Sequence, residues 1–212
     1  MRLVTHTGQA AVMAGLAAAL LSGGCAMMTP TSERYTPPPM GSTWNVAERN
    51  TGSFGADVQY QERRGSATWQ GKQVITFASS RGVTSMMSPD GGFMAVAGPD
   101  GKPIMSWDPP VGLQYPLAVG RKWTASTRMT LHAVNRAIPF DASCSVDGYE
   151  DVTVPAGTFK TFRIGCSNTV GHDEVYWFSP DLGIWVKTSL KRSAASPFGP
   201  GTQERQLTSF SK

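Results

Sequence analysis

Cysteine is the residue type whose positions in this sequence bear most directly on chemistry. The chain contains three, Cys25, Cys144 and Cys166. No two of them have the Cys-x-x-Cys spacing of a zinc or redox site, and only two histidines follow Cys25. The spacing therefore favours neither a metal centre nor a catalytic thiol, and we expect no metal and no cofactor.

Cys144 and Cys166 lie on either side of a predicted β-hairpin whose turn is formed by residues 154–157, with the sequence Val-Pro-Ala-Gly. In one register, in which paired residue numbers add up to 310, the hairpin brings together a sulfur pair, an aliphatic pair and two opposite-charge pairs. These pairs are Cys144 with Cys166, Val146 with Ile164, Asp147 with Arg163, and Glu150 with Lys160. A shift by one residue would break all four pairs, so the pattern predicts this register.

The register implies a disulfide between Cys144 and Cys166, because directly opposed residues of antiparallel strands lie close enough for the bond. A bridge that closes about 22 residues stabilises a fold by ~3 kcal/mol in the loop-entropy model. Disulfides persist in oxidising compartments, so the pair predicts an exported protein.

The N-terminal sequence is typical of an export signal. Arg2 supplies a positive charge, and residues 10–21 form an uncharged apolar stretch of twelve residues. This stretch is shorter than the ~20 residues that a membrane-spanning helix needs, but it has the length of a signal-peptide core. We therefore predict a signal peptide over residues 1–24.

The residues that end this stretch, Leu-Leu-Ser-Gly-Gly-Cys at 20–25, resemble the lipobox of bacterial lipoproteins. Leu21 lies one position further from Cys25 than is usual. The resemblance implies that Cys25 carries the lipid, with palmitate among its acyl chains. It also implies sorting to the outer membrane, because Ala26 rather than aspartate follows. The alternative is ordinary cleavage after Ala26, which would remove Cys25.

Residues 25–42 contain four prolines interspersed with Ser and Thr, and they have neither helical nor strand periodicity. This composition predicts a lipidated, semi-extended tether, whose part after Cys25 can reach at most ~55 Å. The remaining residues, 43–212, have the length of one domain with its own core.

The charges of the chain are balanced and scattered. The formal net charge is +4 in 212 residues, and small basic groups occur at residues 63–64 and 191–192. Nucleic-acid binding needs a basic stripe that follows the phosphate backbone, and this pattern lacks one. We expect no nucleic-acid partner and interpret the basic groups as solvated strand faces.

The predicted domain is all-β. Short segments rich in Val, Thr and aromatic residues alternate with turn sequences, and no segment has a convincing helical period. Pro-Asp turns recur at residues 88–91, 98–101 and 179–183, with a short strand over residues 93–97 between the first two. This pattern predicts an antiparallel meander that forms a curved sheet, a half-open barrel or a sandwich, with no major helix after the signal peptide. The pattern does not distinguish a closed barrel from these forms.

Three segments resemble a family of bacterial exported β-proteins of unknown function. Residues 116–123 are similar to its P-L-x-V-G-x-x-W segment, residues 149–164 contain its V-P-A-G-T-F hairpin, and residues 176–187 match its Y-W-[YF]-S-P-x-x-G-x-x-V-K hairpin. The resemblance covers roughly the C-terminal half and implies a shared fold but no activity. In the last hairpin, Trp177 is expected to lie opposite Trp185.

The sequence offers little catalytic chemistry. His172, Asp173 and Glu174 are consecutive, and neighbouring residues of a strand point to opposite faces, so they cannot all converge on one ion. We interpret them as a solvated approach to a strand, and His132 as a surface or satisfied core residue. The sequence also lacks the Gly-x-Ser-x-Gly and His-Glu-x-x-His motifs. We expect no enzymatic activity.

The sequence thus predicts an outer-membrane-anchored, periplasm-facing lipoprotein with a structural or binding role in the cell envelope, where another envelope protein is one possible partner. A curved sheet can also carry a hydrophobic or lipid ligand, although no covering amphipathic helix is evident. A third alternative is glycan or peptidoglycan binding, because tryptophans can line a sugar-binding face. The six tryptophans are Trp44, Trp69, Trp107, Trp123, Trp177 and Trp185.

Overall fold

Strands form nearly all of the regular structure of residues 30–212. The computed structural model describes residues 30–212, so the predicted signal peptide and Cys25 lie outside the described residues. Within this range no helix is long and apolar enough to cross a bilayer. Two 3-10 helices, Gly52–Phe54 and His132–Val134, lie in connections. The strands are β1 (Thr31–Ser32), β2 (Thr43–Asn50), β3 (Val58–Trp69), β4 (Lys72–Ser79), β5 (Thr84–Met87), β6 (Phe93–Ala97), β7 (Pro103–Val111), β8 (Leu117–Ala118), β9 (Lys122–Leu131), β10 (Arg136–Val154), β11 (Gly157–Asn168), β12 (His172–Ser179), β13 (Ile184–Arg192) and β14 (Gly201–Ser211).

Twelve strands form one closed antiparallel barrel. They follow the order β2 to β7 and then β9 to β14, and β14 returns to pair with β2. The prediction of an all-β antiparallel meander is therefore confirmed, and the form it takes is a closed barrel. Closure gives every strand two neighbours and removes the unpaired edges that an open sheet would expose.

Because each strand runs antiparallel to the next, the connections alternate between the two ends of the barrel. We call one end the base; it carries connections 70–71, 88–92, 112–121, 155–156 and 180–183. The other end, the rim, carries connections 51–57, 80–83, 98–102, 132–135, 169–171 and 193–200. Along each strand, alternate side chains point into the barrel, which places the apolar core inside it.

Residues 30–42, which form the described part of the predicted tether 25–42 and which we call the strap, lie against the base. β1 of the strap pairs with β8, and the Tyr35 side chain is only 8 % exposed. The Tyr35 hydroxyl donates a hydrogen bond of 3.1 Å to the backbone oxygen of Gly183. One buried aromatic residue docks an extended segment, and composition does not reveal this.

The hairpin of β10 and β11 has the predicted turn and, next to its cysteines, the predicted register. Cys144 lies opposite Cys166, Val146 lies opposite Ile164, and the two cysteines form a disulfide with a Cα–Cα distance of 4.2 Å. The predicted disulfide is therefore present.

Beyond Val146 the predicted register is wrong, because Asp147 forms a β-bulge. The bulge places Gly148 opposite Arg163, and it places Asp151 opposite Lys160. The backbone N–H and oxygen of Val146 pair with connection 112–121 rather than with β9, so the strand changes partner where it bulges. Side-chain pairing within the hairpin could not predict this change, since the new partner of Val146 lies outside the hairpin.

The predicted turns at 88–91, 98–101 and 179–183 are confirmed. In each one the N–H of the final glycine donates to the backbone oxygen of the first residue at 2.9–3.0 Å. The predicted pairing of Trp177 with Trp185 is wrong. A bulge in this hairpin places Trp177 opposite Lys187, and it places Trp185 opposite Phe178.

Candidate ligand-binding cavity

The barrel contains two adjoining cavities of about 380 and 210 Å³. Phe93, Leu113, Tyr176 and Trp185 line both, so these side chains form the partition between them. The larger cavity has the size of a small-molecule site, since such sites measure ~300–1,000 Å³. Its apolar walls include Met105, Trp107, Trp123, Met129, Phe140 and Phe198.

Strand periodicity explains how β9 contributes to the larger cavity. Trp123, Ala125 and Met129 point inward and line the cavity, whereas Ser126 and Arg128 are exposed on the outer face. The disulfide between Cys144 and Cys166 also lies in the cavity wall, and it holds β10 to β11 there.

Most tryptophans are interior side chains. Trp44 and Trp123 are 3 % and 7 % exposed. Trp177 instead lies on the outer face, where the Lys187 ammonium group is 4.8 Å from its ring centroid. The tryptophans that line the two cavities are Trp44, Trp107, Trp123 and Trp185.

Polar side chains converge at the rim end of the larger cavity. The Glu174 carboxylate accepts hydrogen bonds from Asn168 Nδ2 at 3.3 Å and from the Tyr176 hydroxyl, and His172 Nδ1 lies 3.5 Å from its Oε1. Burial, followed by the charge of Glu174, raises the pKa of Tyr176 well above its ordinary value. The Tyr176 hydroxyl therefore remains a donor at neutral pH.

The interpretation of residues 172–174 as a solvated approach to a strand is wrong for two of the three. β12 begins at His172, so His172 and Glu174 share its inward face, with side chains 11 % and 14 % exposed, while Asp173 is exposed. The signal was present in the sequence, because residues two apart on a strand point the same way. To use this signal, one must know that the strand begins at residue 172.

His172 also contacts the rim connection 193–200, and this contact bears on catalysis. Its Nε2 lies 3.1 Å from the Ser196 hydroxyl, so Ser196, His172 and Glu174 follow one another as in a hydrolase triad. Ser196 is 7 % exposed, does not line the cavity, and accepts a hydrogen bond from the Phe198 N–H at 3.3 Å. These contacts indicate a structural role for Ser196, which attaches connection 193–200 to His172.

Arg192, at the end of β13, lies beside this cluster and lines the larger cavity. Its guanidinium carbon lies 3.7 Å from the Phe54 ring centroid and 5.1 Å from that of Phe198, and Nη1 donates to Ser53 Oγ at 3.3 Å. Burial lowers the pKa of Arg192, while the charge of Glu174 acts in the opposite direction. Within residues 30–212, its buried Nε has no hydrogen-bond partner.

A second polar network lies between the smaller cavity and the rim. Arg205 Nη2 lies 3.2 Å from Glu62 Oε1, and Arg205 Nε lies 3.2 Å from Glu48 Oε1. Trp44 Nε1 donates to Glu62 and the Tyr60 hydroxyl donates to Glu48, both at 2.6 Å. Burial works to lower the pKa of Arg205, but the charges of Glu62 and Glu48 raise it above its ordinary value. Its cation therefore persists inside the barrel.

The other residues considered from the sequence lie away from these clusters. His132 lies in a rim connection, where its Nε2 is 2.8 Å from Ser106 Oγ. In the part of the chain that the structure describes, no group of three or more His, Cys, Asp or Glu side chains has the arrangement of a metal site. Of the two histidines in residues 30–212, His172 lines the larger cavity.

Comparison with known proteins gives likenesses of fold. No protein-family model matches the chain, and no curated protein matches its sequence. A candidate lipoprotein from Parabacteroides distasonis ATCC 8503 has a TM-score of 0.41 and 13 % identity, over 85 % of this chain and 99 % of that one. A candidate exported protein with a YmcC-like fold, from Bacteroides fragilis NCTC 9343, has a TM-score of 0.45 and 15 % identity, over 85 % and 100 %. The hypothetical lipoprotein YmcC from Escherichia coli (K12) has a TM-score of 0.41 and 10 % identity, over 81 % and 88 %.

Proposed function

We propose that this protein is a non-catalytic envelope lipoprotein that binds a small hydrophobic molecule inside its barrel. The larger cavity is the observation that carries the proposal. It has about 380 Å³ of space, and its lining is mainly aromatic, aliphatic and methionine side chains with a few polar groups at one end. This combination is typical of ligand sites, because apolar walls supply affinity and a few polar groups fix orientation.

The location belongs to the same proposal. The Cys144–Cys166 disulfide fits an oxidising compartment, and the sequence before the barrel fits a lipid anchor at Cys25 that faces the periplasm from the outer membrane. The interior positions of four tryptophans favour a hydrophobic ligand over a glycan, since a sugar-binding face needs exposed rings.

Native mass spectrometry of the protein, extracted gently from membranes, tests both parts. We expect a chain that begins at Cys25 with the added mass of its acyl groups, together with a co-purified small molecule. Substitution Ala125→Phe places a ring in the larger cavity and is expected to remove the small molecule, because the space is no longer free.

Ser126→Phe is the matched control, because it adds the same ring to the outer face of the same strand. The control is expected to retain the bound mass. A chain without acyl groups would overturn the proposed location. Equal occupancy in both variants, or no bound mass in the parent protein, would overturn the proposed ligand binding.

A further inference from the structure

We infer that the ligand of the larger cavity is an amphiphile whose apolar chain lies among the aromatic walls and whose anionic head, a carboxylate or a phosphate, binds Arg192. This inference rests on the proposed function and specifies the chemical class of the ligand. The inference follows from a comparison of the polar groups at the rim end of the cavity, some of which already have hydrogen-bond partners among the described residues while others do not.

The acceptor at this end is the Glu174 carboxylate, which already has hydrogen-bond donors around it. Glu174 accepts hydrogen bonds from Asn168 and Tyr176, and His172 lies within 3.5 Å of the same carboxylate. A carboxylate with these neighbours gains little from a further donor on a ligand. Recognition of a ligand through Glu174 is therefore not favoured.

The donor at this end is the Arg192 guanidinium, and most of its N–H groups have no hydrogen-bond partner in the described part of the chain. Arg192 presents five N–H groups, of which the structure pairs one, on Nη1, with Ser53. Its Nε is buried and has no partner within residues 30–212. A buried donor without a partner is destabilising, so an acceptor that reaches it stabilises the protein.

The surroundings of Arg192 also orient it. The Phe54 and Phe198 rings lie 3.7 and 5.1 Å from the guanidinium carbon and hold the planar group by cation–π contact. A held guanidinium offers two parallel N–H donors, which match two oxygens of a carboxylate or phosphate.

The charges that face this end are those of Arg192, Glu174 and, when protonated, His172. Asp173 and Lys191, which neighbour them along β12 and β13, are exposed on the outer face. Because Asn168, Tyr176 and His172 contact the Glu174 carboxylate, Arg192 is the charged group left to bind a head group from the cavity. A cationic head would lie beside the Arg192 cation and would find the Glu174 carboxylate already hydrogen-bonded, and an uncharged head would form weaker hydrogen bonds with Arg192.

The experiment compares four ten-carbon amphiphiles that differ only in their heads: decanoate, decyl phosphate, decanol and decylamine. Binding is measured by titration calorimetry on the Cys25→Ser protein, which retains the full chain but cannot be acylated. We expect decanoate or decyl phosphate to bind at least about tenfold more tightly than decanol, and decylamine to bind most weakly. Whichever anion binds more tightly identifies the head.

Arg192→Gln is expected to remove this tenfold preference, because it weakens the binding of the two anions much more than that of decanol. Lys191→Gln, which removes the neighbouring exposed charge, is expected to change neither. The inference is overturned if decanol binds as tightly as both anions in the parent protein, or if Arg192→Gln weakens all heads equally. If none of the four binds, the proposed function fails as well. The head series in the parent protein needs no variant, so it remains decisive if Arg192→Gln does not fold.

Discussion

Arg205 is the side chain on which the second polar network converges. It contacts Glu62 and also Glu48, which is 5 % exposed. Its guanidinium carbon lies 5.6 Å from the Tyr60 ring centroid. Removing two carboxylates from water is costly, and Arg205 offsets this cost by pairing with both of them, while Arg81 pairs with Glu48 alone. The network is therefore sensitive to loss of its shared cation.

We expect Arg205→Leu to lower the free energy of unfolding by about 3–5 kcal/mol, because Glu62 loses its cation inside the barrel and Glu48 is left with Arg81, whose Nη1 lies 3.3 Å from its Oε2. Urea unfolding followed by tryptophan fluorescence measures the change. Arg49→Leu, which removes an exposed arginine next to Glu48 in β2, is the control and should change stability by no more than ~0.5 kcal/mol. Equal effects of the two variants would contradict a structural role for the network.

Trp177 and Trp185 illustrate why single contacts were harder to predict than strands. Both residues lie in the predicted hairpin, but its bulge separates them into different environments. Trp185 contacts Tyr176 and Phe178 with ring centroids 4.7 and 5.3 Å apart, whereas Trp177 donates to Glu150 at 2.8 Å on the outer face. A one-residue bulge reverses which side chains face the core, and local sequence carries no clear signal for it.

The strap is the element that closes the base of the barrel. Its Tyr35 ring packs against Phe178 and Tyr115, with centroids 6.3 and 6.4 Å apart. Two turn glycines lie beneath it: an added Cβ would be 2.8 Å from the Tyr35 ring at Gly91, and even closer to the strap backbone at Gly183. In both turns the glycine has the left-handed backbone conformation and also lies in close contact with the strap.

We expect Gly91→Ala to destabilise the protein more than Gly101→Ala. Both glycines end a Pro-Asp-Gly turn with positive φ, +90° and +75°, so both variants carry backbone strain of ~1–2 kcal/mol. Only at Gly91 does the added methyl group also meet Tyr35; the space around Gly101 is open. The comparison therefore isolates the contact with the strap.

Urea unfolding gives the stability difference, and trypsin cleavage after the exposed Arg34 reports whether the strap has been displaced. Faster cleavage is expected for Gly91→Ala alone. If the two alanine variants unfold at the same urea concentration and are cleaved at the same rate, Tyr35 does not hold the strap as described.

For the molecule as a whole, the docked strap limits how far the barrel can lie from the proposed anchor at Cys25. The sequence predicted a tether reaching ~55 Å, but only the six residues from Cys25 to Pro30 precede the first strand, and they span at most ~20 Å. With the proposed lipid on Cys25, the base faces the bilayer and the rim, with Arg192, faces away from it. Ligand exchange would then occur at the end distant from the membrane.

This orientation is measurable with a fluorescent amino acid at Gln70, in a base connection, or at Asp100, in a rim connection. In liposomes whose lipid headgroups carry a quencher, we expect stronger quenching at Gln70, because the strap holds the base within ~20 Å of the anchor. The Cys25→Ser protein, which lacks the proposed anchor, serves as the control and should show no difference between the two sites. Stronger quenching at Asp100 would reverse the proposed orientation.

Turns, strands and the disulfide could be predicted because their signals are local. Proline and glycine restrict or extend the dihedral angles of residues 88–91 and 98–101 whatever surrounds them, and the period of two in a strand needs only neighbours along the chain. The partner of Cys144 was also within reach, since Cys166 lies across a single short turn.

Closure of the barrel, the cavities and their polar groups depended on contacts between distant segments. Glu62 and Arg205 are 143 residues apart, and Tyr35 is 148 residues from Gly183, yet each pair forms a hydrogen bond. No local pattern encodes such a pair, because strand propensity is the same whether a sheet stays open or closes. Pairing of β14 with β2 closes the barrel and brings such distant residues together. The side chains that point into the closed barrel then line its cavities.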